Sequence, residues 1–163
     1  MNVLLVRHGA AADGGFPEVL RPLTPEGRKS VKRLARSIDK SGIRIDAIVS
    51  SPLTRAVQTA EILLAKLPKH HPVRQVECLP ELAGDFISAK FSRAAFFGWL
   101  AETNISSLIL VGHEPTLLTL ASWIDPTLEH SDELHGLAKS TALSFSWAPE
   151  MSSRYEGRFF PRP

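Results

Sequence analysis

The chain has 163 residues, of which 44% are hydrophobic and 22% are charged, so it is expected to form one globular domain, residues 1–163, rather than a disordered chain. The formal net charge of +2 argues against a broad nucleic-acid interface. No apolar run approaches the ~20 residues that cross a bilayer, and no signal peptide precedes the first predicted strand, so no membrane association is expected. The single cysteine excludes an internal disulfide and favours the cytoplasm.

Apolar runs and alternating patterns predict a series of strands separated by helices. The predicted strands are 3–6, 46–50, 73–79, 107–111 and 141–147, the last half-buried at or near an edge, with a short final strand in the tail 152–163. The predicted helices are 25–41, 52–67, 92–102 and 117–124, and Thr24 and Ser51 are predicted to cap the first two. This alternation predicts an α/β fold with a mainly parallel central sheet between two helical layers, a three-layer α/β/α sandwich.

The first predicted strand ends in a cation, an imidazole and a glycine, Arg7, His8 and Gly9. Ligands of α/β sheets collect outside the carboxyl ends of the strands. Arg7 can hold an oxyanion through its planar fork of donors, and His8 can serve as a nucleophile or an acid–base. Gly9 permits a sharp turn and leaves room beside the imidazole for a bound group. Taken alone, the triplet also fits a surface turn, so the other strand ends decide between the two interpretations.

Three further strand ends carry groups that can bind or protonate a phosphate. Arg55 lies one turn inside the helix after the second strand, and helical side chains lean back toward the helix start. Glu81 follows the third strand, and His113 follows the fourth at another helix start. Because the carboxyl ends of parallel strands share one edge, these groups are predicted to surround one pocket. Helix N-termini at that edge favour an anion, so phosphate or sulfate is the expected occupant.

These segments, in this order, resemble the histidine phosphatase superfamily, also called the phosphoglycerate mutase-like family. The matching segments are 5–9, 51–60, 79–82 and 111–113. The loop segment Arg21-Pro-Leu-Thr24 and the short length most resemble the SixA-type phosphohistidine phosphatases. The resemblance covers essentially the whole chain, and it implies a phosphoglycerate mutase-like fold and a phosphatase without a metal or cofactor.

The resemblance, together with the chemistry of the residues, implies a role for each of them. His8 would attack phosphorus through Nε2 and become phosphorylated, with a carbonyl on its other ring nitrogen fixing the tautomer. Arg7, Arg55 and His113 would hold the equatorial oxygens of the phosphoryl group, and positive neighbours would keep His8 unprotonated. Arg21 would add a phosphate or substrate contact from the long loop 10–23.

Glu81 matches the proton donor of the superfamily. An ester needs that proton because an alkoxide is a poor leaving group. A phosphoramidate such as phosphohistidine leaves more easily, so Glu81 is expected to be dispensable if phosphohistidine is the substrate.

The other histidines and the cysteine are predicted to lie outside the site. No histidine pair has the spacing of a zinc-binding helix, and four histidines are expected to be exposed in polar connectors rather than to bind a metal: His70, His71, His130 and His135. Cys78 is expected to be buried, and Gly84 stands where a cysteine phosphatase would need an arginine. Lys139 is interpreted as a solvated lysine. Phosphate-loop and dinucleotide-binding motifs are missing from the sequence.

Three functions stay open on this basis. The short segment 83–92 leaves little chain to cover the pocket, so the pocket is expected to accept a phosphate carried by a protein. The leading hypothesis is a cytoplasmic phosphohistidine phosphatase in signal transduction, acting on the phosphotransfer domain of a two-component relay. The alternatives are a small-molecule phosphomonoesterase that uses Glu81 as its general acid and a non-catalytic phosphate-binding adaptor.

Overall fold

The computed structural model describes residues 1–83, 92–130, 136–148 and 151–161. Within these ranges it has six strands: β1 (Asn2–Arg7), β2 (Ala47–Ser50), β3 (Val76–Cys78), β4 (Ser107–Gly112), β5 (Ala142–Ala148) and β6 (Met151–Phe159). The α-helices are α1 (Pro25–Lys40), α2 (Thr54–Lys66), α3 (Arg93–Glu102) and α4 (Thr116–Ile124). None of the helices in the described ranges has the length and apolar composition needed to span a bilayer.

The strands form one sheet in the order β3-β2-β4-β1-β5-β6. β1 to β4 run parallel, whereas β5 and β6 are added in antiparallel orientation. The prediction of a mainly parallel sheet is therefore confirmed. Because β4 lies between β1 and β2, the carboxyl ends of these three strands are neighbours.

The core lies on both faces of this sheet, and β1 shows why. The side chains of Val3 to Val6 are fully buried and alternate in direction, so Val3 and Leu5 pack on the face covered by α3 and α4. Leu4 and Val6 pack on the opposite face, which α1 and α2 cover. Burying a side chain of this size contributes about 1.5–3 kcal/mol, and a shift by one residue would exchange the two faces. The predicted three-layer sandwich is confirmed.

The first helix begins where the sequence predicts. Thr24 is its N-cap, and the N–H of Gly27 donates to the hydroxyl Oγ1 of Thr24 across 3.0 Å. A Cβ on Gly27 would lie 2.1 Å from the carbonyl oxygen of Ala10, so only glycine allows this close approach. The first turn of α1 is therefore packed against the chain just after His8.

The outer strands differ from the prediction. The third strand is limited to Val76–Cys78, and Cys78 is exposed rather than buried, because β3 is short and forms one edge of the sheet. β5 is buried along Ala142–Phe145 instead of being half-buried, since it is paired on both sides. The final strand is confirmed as β6, which forms the other edge.

Candidate active site

His8 follows β1 directly, and its ring is held in one orientation. Its backbone N–H donates to the carbonyl of Gly112 across 3.1 Å, which joins the ends of β1 and β4. The ring Nδ1 lies 2.7 Å from the carbonyl oxygen of Gly9. A carbonyl only accepts hydrogen bonds, so Nδ1 carries the proton and Nε2 presents a lone pair. This is the tautomer expected of a nucleophile that reacts at Nε2.

Arg55 reaches this lone pair from the first turn of α2. Its Nε donates to Nε2 of His8 across 3.3 Å, although the residue is separated from His8 by 47 positions in the sequence. Its Nη1 donates to the backbone carbonyl of Glu18, and its Nη2 pairs with the Glu18 carboxylate, both at 2.8 Å. The guanidinium is buried, so its charge acts on the imidazole in a medium that screens it weakly.

His113 lies beside His8, with the two ring centroids 4.8 Å apart. Its Nε2 is 2.9 Å from the hydroxyl of Ser51, and its Nδ1 is buried without a hydrogen-bond partner among the described residues. The prediction that Ser51 caps α2 is wrong, since Leu53 occupies the N-cap position. Ser51 follows the last residue of β2, and its N–H donates to the carbonyl of Val111 in β4 at 2.8 Å. Its hydroxyl contacts His113.

Arg7 is oriented by two groups that lie far away in the sequence. Its Nη1 donates to the carbonyl of Leu137 across 2.5 Å and pairs with the Glu114 carboxylate at 2.7 Å. The other oxygen of Glu114 accepts the N–H of Leu137 at 2.6 Å. The Nε of Arg7 is buried with no partner in the described part of the chain. Sequence reasoning missed Glu114, although its place directly after His113 was a usable signal.

The segment before β5 packs against the backbone of the residues at the end of β1. The N–H of Ser140 lies 3.2 Å from the carbonyl oxygens of both Arg7 and His8, and its φ of 59° places it in the left-handed region. Lys139 is exposed, as the sequence predicts. Ser140 carried no recognisable signal in the sequence, because the role depends on its backbone.

In the described part of the chain Arg21 contacts the site through Glu18, and its predicted phosphate or substrate contact stays a prediction. Its Nη1 pairs with the Glu18 carboxylate at 2.9 Å, and its Nη2 pairs with Asp13 at 2.7 Å. Glu18 therefore bridges Arg21 and Arg55, and the hydrogen bond from Arg21 is the main reason that the pKa of Glu18 is lowered. Sequence reasoning also missed Glu18, because nothing in the loop composition indicates which carboxylate faces the pocket.

Gly9 also has a packing role at α1. A Cβ on this residue would lie 2.9 Å from Cγ2 of Val31, so the close approach of α1 requires a glycine here, and the predicted room beside the imidazole stays a prediction. The N–H of Gly9 donates to the hydroxyl of Thr59 across 3.1 Å, and that hydroxyl donates to the carbonyl of Arg55. Gly9 thus fixes the position of α2 relative to His8.

Glu81 lies in a short 3-10 turn, Pro80–Ala83, beside the end of β4. The carbonyl oxygen of Leu82 is 3.7 Å from the point where a Cβ of Gly112 would stand. The Glu81 side chain is outside what the structure describes, so its predicted role as proton donor stays a prediction. The same holds for the segment 84–91, with Gly84, and for His135 and the side chain of His130.

The prediction that His70 and His71 are both exposed is wrong for His71, which is 1% exposed. The N–H of Ile45 donates to Nδ1 of His71 at 3.0 Å, while Nε2 lies 3.2 Å from Oδ1 of Asp39. His70 is exposed, and its Nε2 is 3.3 Å from the same oxygen. Since Nδ1 of His71 accepts, its Nε2 holds the proton and has no lone pair for a metal. The hydrogen bonds of the His71 ring therefore join the end of α1 to the segment just before β2.

Both site histidines have strongly lowered pKa values. The pKa of His8 is lowered to about 4, chiefly by burial, and the charges of Arg55 and Arg7 act in the same direction against the hydrogen bond to Gly9. The pKa of His113 is lowered to about 3, again chiefly by burial, followed by the influence of His8 and Arg55. Positive neighbours were the expected cause, but burial has the larger effect. Both rings are neutral at physiological pH.

We expect the His8 ring to titrate with a midpoint of about 4 instead of 6.5, as measured by NMR of its ring protons. The pKa of the folded state lies below that of the unfolded state. Acidification from about pH 6.5 toward pH 4 therefore protonates the unfolded chain first and lowers the free energy of unfolding. Above about pH 6.5 the His8 ring is neutral in both the folded and the unfolded state, so this loss of stability is absent. A His8 midpoint near the ordinary value in the free protein would contradict the burial argument.

A further prediction concerns Glu114, which orients Arg7. Glu114→Gln keeps an acceptor for Leu137 but removes the charge, and we expect it to lower kcat by about tenfold, because the Arg7 guanidinium loses its fixed direction. Asp13→Asn is the matched control, since it removes an ion pair from Arg21 at a side chain that is 89% exposed. Steady-state kinetics on one substrate would check both variants, and equal losses would contradict a special role for Glu114.

An α/β sandwich that gathers two imidazoles and two guanidinium groups at the carboxyl edge of its sheet defines a class of phosphate-handling enzymes. A family model described as the histidine phosphatase superfamily (branch 1) matches residues 3–95. The chain belongs to this superfamily, and it is a phosphatase.

Curated relatives match a large part of the chain. An uncharacterized protein of Picosynechococcus sp. is 36% identical over 123 residues, which cover 72% of this chain and 68% of that protein. The mitochondrial serine/threonine-protein phosphatase Pgam5 of Drosophila persimilis is 28% identical over 136 residues, covering 69% of this chain. The match spans only 46% of the length of Pgam5.

Solved structures share the fold over nearly the whole chain. The protein histidine phosphatase SixA complexed with tungstate superposes with a TM-score of 0.81 at 24% identity, covering 99% of this chain and 97% of that one. An alpha-ribazole phosphatase from Shigella flexneri superposes with a TM-score of 0.69 at 20% identity, and the match covers 99% of this chain and 96% of that one. A phosphoserine phosphatase from Entamoeba histolytica, in complex with 3-phosphoglyceric acid, superposes with a TM-score of 0.66 at 18% identity. This match covers 97% of this chain and 96% of that one. These likenesses establish the SixA-like fold, and the differing substrates in these names show that the fold does not select the substrate.

Proposed function

We propose that this chain is a phosphohistidine phosphatase that takes the phosphoryl group from a phosphohistidine on another protein, through a phosphorylated His8. The observation that carries the proposal is the ring state of His8. Its Nδ1 donates to the Gly9 carbonyl, and its pKa is lowered to about 4, so Nε2 stays unprotonated at neutral pH and its lone pair accepts the long hydrogen bond from Arg55. A neutral, oriented imidazole is the form that attacks phosphorus.

Two unpaired nitrogens support a phosphate position beside His8. Nε of Arg7 and Nδ1 of His113 are buried without partners among the described residues, and a buried polar group left unpaired costs about 1–3 kcal/mol. Phosphate oxygens would supply the missing partners. Arg55 would add its guanidinium once its hydrogen bond to His8, already long at 3.3 Å, gives way to the ligand.

The reaction then follows in two steps. The lone pair of His8 Nε2 attacks phosphorus, and the new N–P bond forms as the P–N bond of the substrate breaks. The substrate's ring leaves as a neutral imidazole when its other nitrogen already carries a proton, so this step needs no general acid. Water next attacks the phosphorylated His8, the N–P bond breaks, and inorganic phosphate leaves. Arg7, Arg55 and His113 would stabilise the charge on the equatorial oxygens in both steps.

A protein substrate is favoured by the small amount of chain available to cover the pocket. The turn that holds Glu81 ends at Ala83, and α3 already begins at Arg93. A receiver–phosphotransfer relay that uses phosphohistidine is the proposed setting. The test compares kcat/KM for a histidine phosphotransfer domain, phosphorylated chemically with phosphoramidate, with kcat/KM for phosphoserine and p-nitrophenyl phosphate. Turnover of the esters faster by a large factor would overturn the proposal.

A small-molecule phosphomonoesterase is the second candidate, because the backbone of Glu81 lies beside the end of β4, close to His113. In that case Glu81 would protonate the leaving alkoxide. We expect Glu81→Gln to reduce turnover of phosphate esters by about a hundredfold or more and to spare phosphoramidates, whose leaving group does not need the proton. Parallel assays with phosphoserine, which releases an alkoxide, and phosphoramidate check this, and an equal loss on both would remove the distinction.

A further inference from the structure

The loop that carries Glu18 exposes a cluster of large apolar side chains. Phe16, Val19 and Leu20 are 52%, 54% and 55% exposed. In the described part of the chain, Phe160 is the one other large apolar side chain exposed to this degree, at 53%. Exposed apolar residues are normally scattered singly over a surface, and three of them within five residues of one loop are typical of a surface that binds another molecule.

This loop is anchored and does not need to fold on binding. The N–H of Ala12 donates to the carbonyl of Pro22 across 2.9 Å, which closes the base of the loop. The N–H of Leu23 donates to the side-chain oxygen of Gln58 on α2, also across 2.9 Å. Its apolar side chains are therefore presented from a fixed position, and little conformational entropy is lost when they are covered.

The apolar cluster stands at the rim of the phosphate pocket. Val19 and Leu20 follow Glu18 in one 3-10 turn, and the Glu18 carboxylate lies 2.8 Å from the Arg55 guanidinium. Arg55 in turn contacts His8. A molecule resting on Val19 and Leu20 thus lies next to the group that accepts the phosphoryl.

The helix beside the loop adds a strong positive charge. The exposed positions of α1 include a single carboxylate, Glu26, whereas the other charged ones are cations: Arg28, Lys29, Lys32, Arg33, Arg36 and Lys40. The first turn of α1 packs against Ala10, two residues after His8, so the start of this cationic face borders the site. A partner that covers the rim meets this face and is favoured if its own surface is acidic.

We propose that Phe16, Val19 and Leu20 form a docking surface for the protein that carries the phosphohistidine. This partner presents apolar side chains near its phosphorylated histidine and acidic side chains toward the first turns of α1. The inference rests on the proposed function and extends it to the recognition of the substrate. A small phosphorylated molecule fills the pocket and leaves the rim uncovered. Substitutions at the rim should therefore lower turnover of a protein substrate and leave turnover of a small substrate unchanged.

The test uses Phe16→Ser and Leu20→Ser, singly and together, in the full chain. We expect kcat/KM for a chemically phosphorylated histidine phosphotransfer domain to fall by about ten- to a hundredfold, since apolar burial at the rim is lost. The kcat/KM for free phosphohistidine stays unchanged. Phe160→Ser is the matched control, with the same type of substitution and nearly the same exposure. Phe160 lies against the C-terminal half of α1, where its carbonyl accepts the Ser37 hydroxyl at 2.8 Å.

A second pair of variants tests the charge of the partner. Arg28 and Lys40 are exposed cations at opposite ends of α1. Arg28→Glu is expected to lower kcat/KM for the phosphorylated domain, most strongly at low salt, and Lys40→Glu is expected to have a smaller effect. Equal effects of the two would remove the acidic-partner part of the inference.

The outcomes separate this inference from the proposed function. If wild type prefers the phosphorylated domain over free phosphohistidine and the rim variants behave like Phe160→Ser, the docking surface is wrong and the proposed function survives. The docking surface is also wrong if the rim variants lose the same factor on both substrates, because the loop then acts on the pocket itself. If wild type shows no preference for the phosphorylated domain, both the proposed protein substrate and its docking surface are overturned.

Discussion

Replacement of His8 by alanine is expected to abolish the phosphorylated enzyme and to lower kcat on the order of 10⁴-fold or more, because no other group near the pocket takes over the attack on phosphorus. Rapid-quench trapping with a ³²P-labelled phosphotransfer domain, with the two proteins separated by size after the quench, measures the phosphate bound to this chain. Wild type is expected to show a burst of label that is stable to base and labile to acid, which is the behaviour of a phosphoramidate.

His113→Ala serves as the matched control for this experiment. The two rings have centroids 4.8 Å apart and both have lowered pKa values, so loss of either removes a buried neutral imidazole. The His113 variant should still trap label on His8, but at a reduced rate. Label that persists in the His8 variant would contradict the assignment of the nucleophile. Complete absence of label from wild type, with phosphate bound, would favour the adaptor.

Replacement of Arg55 by alanine is expected to lower kcat/KM by roughly 10²–10³-fold, the usual effect of removing one charged donor from a developing oxyanion. Arg55→Lys should recover only part of the loss, because an ammonium lacks the planar fork that spans the His8 ring and a phosphate oxygen. Steady-state kinetics with free phosphohistidine, which does not depend on docking, gives the relevant measurement.

The role of Arg55 as an anchor of the loop must be separated from its role at phosphorus. Its Nη2 pairs with Glu18 at 2.8 Å, so removal of Arg55 also frees the loop. Glu18→Ala frees the loop while leaving the guanidinium in place, and we expect its loss on free phosphohistidine to be much smaller than that of Arg55→Ala. Equal losses would mean that Arg55 acts only through the loop.

Much of the fold was predictable because its signals are local. The strand β1 and the cap of α1 at Thr24 depend on neighbours a few positions away, and both predictions are confirmed. Ser51 shows where local reasoning failed. Its position before a proline is typical of a helix cap, but its N–H donates to the carbonyl of Val111 in β4, a residue distant in sequence.

The supporting residues of the candidate site could not be predicted in this way. Glu18 and Glu114 are ordinary carboxylates in the sequence, and only the packing of separate segments places them against Arg55 and Arg7. Likewise, His71 is adjacent to an exposed histidine, yet it is buried because the N–H of Ile45 and the carboxylate of Asp39 take its two ring nitrogens.

The order of strands and helices, and the reactive side chains that follow the strands, were determined by the sequence alone, since periodicity and capping are properties of short segments. The tertiary structure decided the rest: which carboxylates hold the two arginines, which way the His8 ring presents its lone pair, and which apolar side chains remain uncovered at the rim. These features depend on atoms that meet from segments tens of residues apart, as the approach of Arg55 to His8 across 47 positions shows. These contacts depend on the close packing of the two helical layers on the sheet, and no short stretch of sequence encodes them.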